Sequence, residues 1–241
     1  MAYKNWTFTD ALLFIAKQEA DSKCCETTNN KATCLEPIFD YSKLNFGQSY
    51  CAGTVRYWVH LTCNFFDVEN VIPFNTSFNS THYIYNYFKD GKKGVTVNTT
   101  PKPGCIFFYS TGKTTGHVGI VAKVDNDYIY TYEGNTTCKS TCNGEGLCSK
   151  KRKITSNDFK FIHIEDYEKY KKLTRFDDLE GFLKTGKKTI NTNTNTNTNT
   201  NNQNTDIINN INFDILTKIK NNKKWLLLLG IPVGLYFLLR S

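Results

Sequence analysis

Apolar residues recur at helical spacing near the start of the chain and again after residue 50, then run together or alternate from residue 105 onward. Leu12, Leu13, Ile15 and Ala16 form one stripe, so residues 8–19 are predicted as a helix with Thr9 or Asp10 as its cap. Residues 21–45 keep no period and are expected as loop, apart from an apolar patch over 35–39. Helical spacing returns over 51–62 through Val55, Trp58 and Val59, with Gly47 and Ser49 suited to an entry turn. A tyrosine-rich helix is predicted over 82–88 and is ended by glycines at 91 and 94.

The second half reads differently. Residues 101–104 predict a turn and 105–109 a buried strand. Residues 118–124 and 128–133 predict a hairpin around Asp125, Asn126 and Asp127, and 159–164 a last strand. Helices followed by antiparallel strands predict an α+β fold, with N-terminal helices packed on an antiparallel sheet. Strand parity makes a sharp demand on the hairpin. A three-residue loop places His117 opposite Asn135, with Glu133 diagonal to it on the same face. A two-residue loop separates His117 from Glu133 unless a bulge restores the phase.

Composition divides the chain. Residues 1–166 mix aromatics, β-branched residues and turn formers, as one folded domain does. Residues 167–190 form a charged, helical extension, and 191–206 an almost pure Asn-Thr linker that buries too little to order itself. Residues 207–224 form a basic amphipathic segment suited to a membrane surface. Residues 225–239 are nearly all apolar and are expected to anchor the chain in a membrane, despite being short for a full span. The lysines at 218, 220, 223 and 224 outweigh Arg240, which puts the N-terminal head on the cytoplasmic or virion-interior side. The net charge of +8 carries no nucleic-acid signature with it, so lipid and peptidoglycan or peptide are the expected partners and nucleic acid is not.

Nine cysteines leave eight once a free thiol is set aside. The N-terminus shows no leader, so structural disulfides are not expected. Cys138, Cys142 and Cys148 lack a C-x-x-C pair and a neighbouring histidine, so no metal or other cofactor is expected. Cys51 opens a predicted helix, where unpaired N–H groups favour a thiolate and can donate to an oxyanion. His117 is the candidate base, with Glu133 or Asn135 orienting its ring. Gln48 is a candidate second oxyanion donor by proximity alone. His60, His82 and His163 are read as surface or satisfied histidines.

Four short segments carry a resemblance: Tyr50-Cys51-Ala52-Gly53, the Lys102-Pro103-Gly104 turn, the Gly-His-Val-Gly-Ile-Val run at 116–121, and Glu133-Gly134-Asn135. In this order, over about residues 5–165, the chain resembles the CHAP domains, the cysteine- and histidine-dependent amidohydrolases/peptidases of bacterial cell-wall enzymes and phage lysins. The resemblance implies a papain-like fold that cleaves peptidoglycan amides, with Cys51 as nucleophile, His117 as base, and Glu133 with Asn135 as the polar third element. Two departures stand out. Cys105 occupies a position where many relatives carry a turn-stabilising Asp. Residues 45–50 hold no carboxylate, so the calcium site of some relatives is not expected. The leading reading is a membrane-anchored amidase or endopeptidase acting on peptidoglycan. Its rivals are a papain-like peptidase acting on intracellular or viral protein, and a non-catalytic wall- or membrane-binding module.

Overall fold

The computed structural model describes residues 4–138, 145–154 and 159–186. All of them belong to one compact unit, Met1–Asn191. The linker, the amphipathic segment and the expected anchor lie outside the described residues. Among the described residues no helix is long and apolar enough to cross a membrane.

The chain opens with a short strand β1 (Lys4–Thr7) and helix α1 (Phe8–Asp21). Thr7, rather than Thr9 or Asp10, caps α1, its hydroxyl accepting from Asp10 N at 3.1 Å. Helix α2 (Glu36–Ser42) follows, then α3 (Cys51–Phe66) and α4 (Thr81–Phe88). Six strands then build an antiparallel sheet: β2 (Thr96–Asn98), β3 (Ile106–Ser110), β4 (Gly116–Asp125), β5 (Tyr128–Thr137), β6 (Glu145–Lys153) and β7 (Phe159–His163), in spatial order β2-β7-β3-β4-β5-β6. The α+β class follows directly.

The expected helical extension takes another form. Over 167–186 the chain makes α5 (Glu168–Lys171), β8 (Thr174–Asp177) and α6 (Leu179–Thr185). Strand β8 pairs with β1 in a separate two-stranded sheet. Tyr170, Leu179 and Phe182 enter the main core beside Leu12, Trp58 and Ile162. Their aromatic and aliphatic bulk outweighs the surrounding charges, so this segment closes the domain.

Helix α3 is the axis of the core. Val55, Trp58 and Val59 are fully buried between α1 and the sheet residues Val118 and Ile120. A second cluster, Cys105, Phe107, Val121, Ile129, Phe159 and Phe161, fills the face shared with His117 and Gly119. A third joins the 21–45 region to the helix N-terminus through Leu35, Ile38, Phe39, Tyr50 and Leu147.

Disulfides among the described residues correct the expectation that none would form. Cys24 pairs with Cys34 and Cys138 with Cys148, each across a separation of 10 residues. Loops of that size restrain the unfolded chain by roughly 2–3 kcal/mol each. Cys51, Cys63 and Cys105 remain free.

Helix α3 meets the sheet most closely at Gly134. A Cβ there would lie 2.3 Å from Thr54 Oγ1 and 3.0 Å from Leu147 Cδ2. Thr54 cannot swing aside freely, because its hydroxyl donates to Tyr50 O at 2.9 Å. Gly134→Ala is therefore expected to destabilise by about 1–3 kcal/mol through overpacking. Thermal unfolding checks it, at roughly 2–4 °C per kcal/mol for a domain of this size.

Candidate active site

The hairpin that carries His117 satisfies the parity demand by the less obvious route. Its loop has only two residues, with Asp125 paired to Tyr128. Pairing then slips between Val121 and Lys123, so that Val121 faces Thr131 and Ile120 faces Tyr132. One extra residue, Ala122, bulges out and restores the phase. Gly119 comes to lie against Glu133, whose Cγ would be 2.8 Å from a Cβ at that glycine. The absent side chain leaves the Glu133 chain room to cross diagonally to His117.

There the carboxylate meets the imidazole, with His117 Nε2 2.9 Å from Glu133 Oε2. Glu133 is fully buried. Arg152 on β6 grips it with a fork, Nε donating to Oε1 at 2.6 Å and Nη2 to Oε2 at 2.5 Å. Thr131 Oγ1 donates to Oε1 at 2.5 Å. Burial would raise the Glu133 pKa, but Arg152 and His117 outweigh it and hold it down at about 2. An ionised carboxylate only accepts, so His117 Nε2 carries a proton and Nδ1 is the nitrogen left for the thiol.

Cys51 is the first residue of α3 and interacts electrostatically with His117. Burial pulls the His117 pKa down, yet the hydrogen bonds and negative charges of Cys51 and Glu133 prevail and raise it to about 9. The arrangement favours the imidazolium form of His117. Tyr109 pairs with His117 across β3 and β4, their rings 5.7 Å apart, and Phe107 lies 5.9 Å from the imidazole. Arg152 stacks over both aromatics at 5.6 and 5.3 Å.

Asn135 takes a separate position. Its Oδ1 accepts from Tyr50 N at 3.1 Å, and its Nδ2 donates to Asn30 Oδ1 and Glu145 Oε2, both at 2.8 Å. A second irregularity, between Glu133 and Thr136, and a φ of 55° at Asn135 turn this side chain toward α3. Tyr50, the N-cap residue, has no side-chain cap bond of its own. Asn135 thus holds the backbone beside Cys51, while Glu133 holds the histidine. Tyr50 is tied further by its hydroxyl, which donates to Glu26 Oε1 at 2.8 Å.

Gln48 is exposed, and its side-chain carbonyl accepts from Asn45 N at 2.7 Å. The backbone N–H of Cys51 lies in the first turn of α3, where N–H groups lack an intrahelical acceptor. The other histidines are engaged elsewhere: His60 with Asn64, His82 with Ser110, and buried His163 with Glu165 and Asn98. Among the described residues one group has the makings of a metal site, His163 with Glu165 and Asp166. Both nitrogens of that imidazole are already taken. Cys138 and Cys148 spend their sulfurs on each other.

Sequence reading missed Arg152. It sits in the basic run Lys150-Lys151-Arg152-Lys153, which looks like a solvated cluster. Taken as a strand with period two, the run sends Lys151 and Lys153 outward and leaves Arg152 and Lys150 on the other face. Lys150 there donates to Thr137 O at 2.7 Å.

The charges set a pH window. The contribution of His117, whose pKa is raised, is complete below its ordinary 6.5 and is lost as pH climbs through about 9. That of Glu133, whose pKa is depressed, is complete above its ordinary 4.5 and is lost as pH falls through about 2. Histidine-selective 15N NMR is expected to show one imidazole titrating near 9. Glu133→Gln removes the negative partner and should move that titration to lower pH; an unmoved titration would detach Glu133 from the histidine.

Comparison with known proteins adds to this geometry. No curated protein matches the chain. Among solved structures, the crystal structure of Ly7917 aligns with 66% of this chain and 62% of its own, at 18% identity and a TM-score of 0.35. The chain therefore spans less than two thirds of that protein, and a likeness at this score carries no argument. The family model of the CHAP domain matches residues 42–135, a stretch that takes in Cys51, His117, Glu133 and Asn135. That stretch, rather than the whole chain, is what is similar to the CHAP-domain family.

Proposed function

We propose that the chain is a cysteine-dependent hydrolase that opens amide bonds of peptidoglycan, either between sugar and stem peptide or within the peptide. CHAP domains are, as a family, amidohydrolases and peptidases, and the match over 42–135 supports that class. The observation that carries the finer reading is the chain of contacts from Cys51 to His117 to buried Glu133.

In this mechanism the Cys51 thiolate attacks the amide carbon and forms a C–S bond. The Cys51 N–H, at the start of α3, donates to the oxyanion that develops. His117 gives its Nδ1 proton to the leaving nitrogen as the C–N bond breaks, and a thioester remains. Neutral His117 then takes a proton from water, whose oxygen attacks the thioester. Collapse releases the carboxylic acid and returns the thiolate and imidazolium. Glu133 keeps the imidazole tautomer and orientation throughout.

Disulfides favour an oxidising compartment, which supports a wall substrate over an intracellular protein. The apolar segment 225–239 tethers the head to a lipid membrane in this reading, with the Asn-Thr linker as spacer.

Purified peptidoglycan incubated with the full chain should release new amino groups without new reducing ends. Cys51→Ala should abolish the release, and Glu133→Gln should lower it by about 10²–10⁴-fold. Undiminished release by Cys51→Ala would overturn the cysteine mechanism. The tether has its own check: after alkaline carbonate extraction of vesicles, the full chain should stay in the membrane pellet. A chain ending at residue 190 should move to the supernatant.

A further inference from the structure

Helix α4 presents a face that the hydrolase reading leaves unused. Tyr83, Asn86, Tyr87, Asp90 and Lys92 line an open cavity of about 480 Å³ there. That volume falls within the ~300–1,000 Å³ of small-molecule sites. Its aromatic walls are braced from below. Phe78 stands edge-on to both tyrosines, 4.9 Å from each ring, and is itself buried. Tyr83 nonetheless keeps 46% of its surface exposed. Lys92 Nζ lies 4.3 Å from the Tyr87 ring centroid. Asn86 and Asp90 are exposed, and among the described residues neither side chain makes a hydrogen bond.

Fixed aromatic planes beside a free amide and a free carboxylate match one ligand chemistry well. A pyranose ring offers an apolar C–H face for stacking and a rim of hydroxyl and acetamido groups for hydrogen bonds. Asp90 disfavours a phosphate polymer by like charge. The other side of the same helix packs on the sheet that carries His117. Thr81 Oγ1, in the first turn of α4, would be 3.0 Å from a Cβ at Gly116, the residue before His117. Tyr85 of α4 stacks on Phe108 of β3, with ring centroids 4.8 Å apart.

We propose that this face of α4 is a subsite for the amino-sugar strand of peptidoglycan. The proposal deepens the peptidoglycan reading and rests on it for its substrate.

Chitotetraose, a peptide-free chain of β-1,4-linked N-acetylglucosamine, is the probe, titrated calorimetrically into the full chain. The parent should bind it. Tyr83→Ala should weaken binding about tenfold, whereas Tyr83→Phe, which keeps the ring, should stay within about twofold. On polymeric peptidoglycan, Tyr83→Ala should raise KM about tenfold and leave kcat in place, as loss of uniform binding does. Iodoacetamide labelling of Cys51 at the parent rate shows that the active site of the variant is intact. Failure of the parent to bind chitotetraose, parent-like binding by Tyr83→Ala, or selective binding of stem peptide instead would overturn the subsite. Binding of chitotetraose without any action on peptidoglycan would keep a sugar site and sink the hydrolase. Hydrolysis without sugar binding would do the reverse.

Discussion

A fully buried carboxylate, Glu133, is the constraint around which this domain is organised. An ionised group in such a place costs several kcal/mol unless its oxygens are matched by charge and hydrogen bonds. Here the matching groups come from three neighbouring strands. Arg152 approaches from β6, Thr131 from β5 itself and His117 from β4. The stability of the sheet edge and the chemistry of the site are therefore one arrangement. Arg152 neutralises the carboxylate enough to let it sit in the interior, and the carboxylate still fixes a proton on His117 Nε2. An arginine suits the place because its planar fork spans both oxygens, which a lysine does not.

Much of this was legible in the sequence, and the limits have physical causes. The stripes of α1 and α3 and the apolar runs of β3, β4, β5 and β7 are local patterns, and local patterns survive without tertiary knowledge. Parity went further, since it required a bulge once the loop had two residues, and the slip at Ala122 supplies it. What escaped depends on distant partners. Strand β1 meets β8 some 170 residues later, Trp6 Nε1 donating to Asp177 O across that gap. Strand β6 hid behind its lysines, which stand on the exposed edge of the sheet, where charge also guards against further strand pairing. Helix α2 has only seven residues and carries a proline in its first turn, too short for a periodic signal.

The role of Asn135 was out of reach for a different reason. Sequence spacing put Glu133 and Asn135 on one strand face as interchangeable partners for the histidine. The irregularity between Glu133 and Thr136 separates them. Asn135 instead ties the strand to Tyr50 and to Asn30, and Asn30 Nδ2 donates to Gly47 O at 3.2 Å. Glu26 completes the mesh, accepting from Tyr50 OH and Asn30 N. The region expected as loop thus anchors the turn that precedes Cys51. The Cys24–Cys34 bridge closes the same region on itself.

The three free thiols show how far environment, rather than residue type, decides reactivity. Burial pushes the Cys63 thiol up to about 12, even though the Tyr170 hydroxyl stands 3.1 Å away. Cys105 is pushed higher still by burial, and its sulfur serves another purpose. It accepts from Lys102 N at 3.5 Å, in the turn where many relatives place a carboxylate, and Cys105 N donates to Lys102 O at 3.2 Å. The acceptor that looked missing is therefore supplied by a neutral thiol, which packs into the aromatic cluster where an aspartate would bring an unpaired charge. Cys51 differs from both in kind. Of the three, it alone starts a helix and lies beside an imidazole whose proton a buried carboxylate holds. Burial holds two of these sulfurs in the neutral form, and only the third lies beside an imidazole.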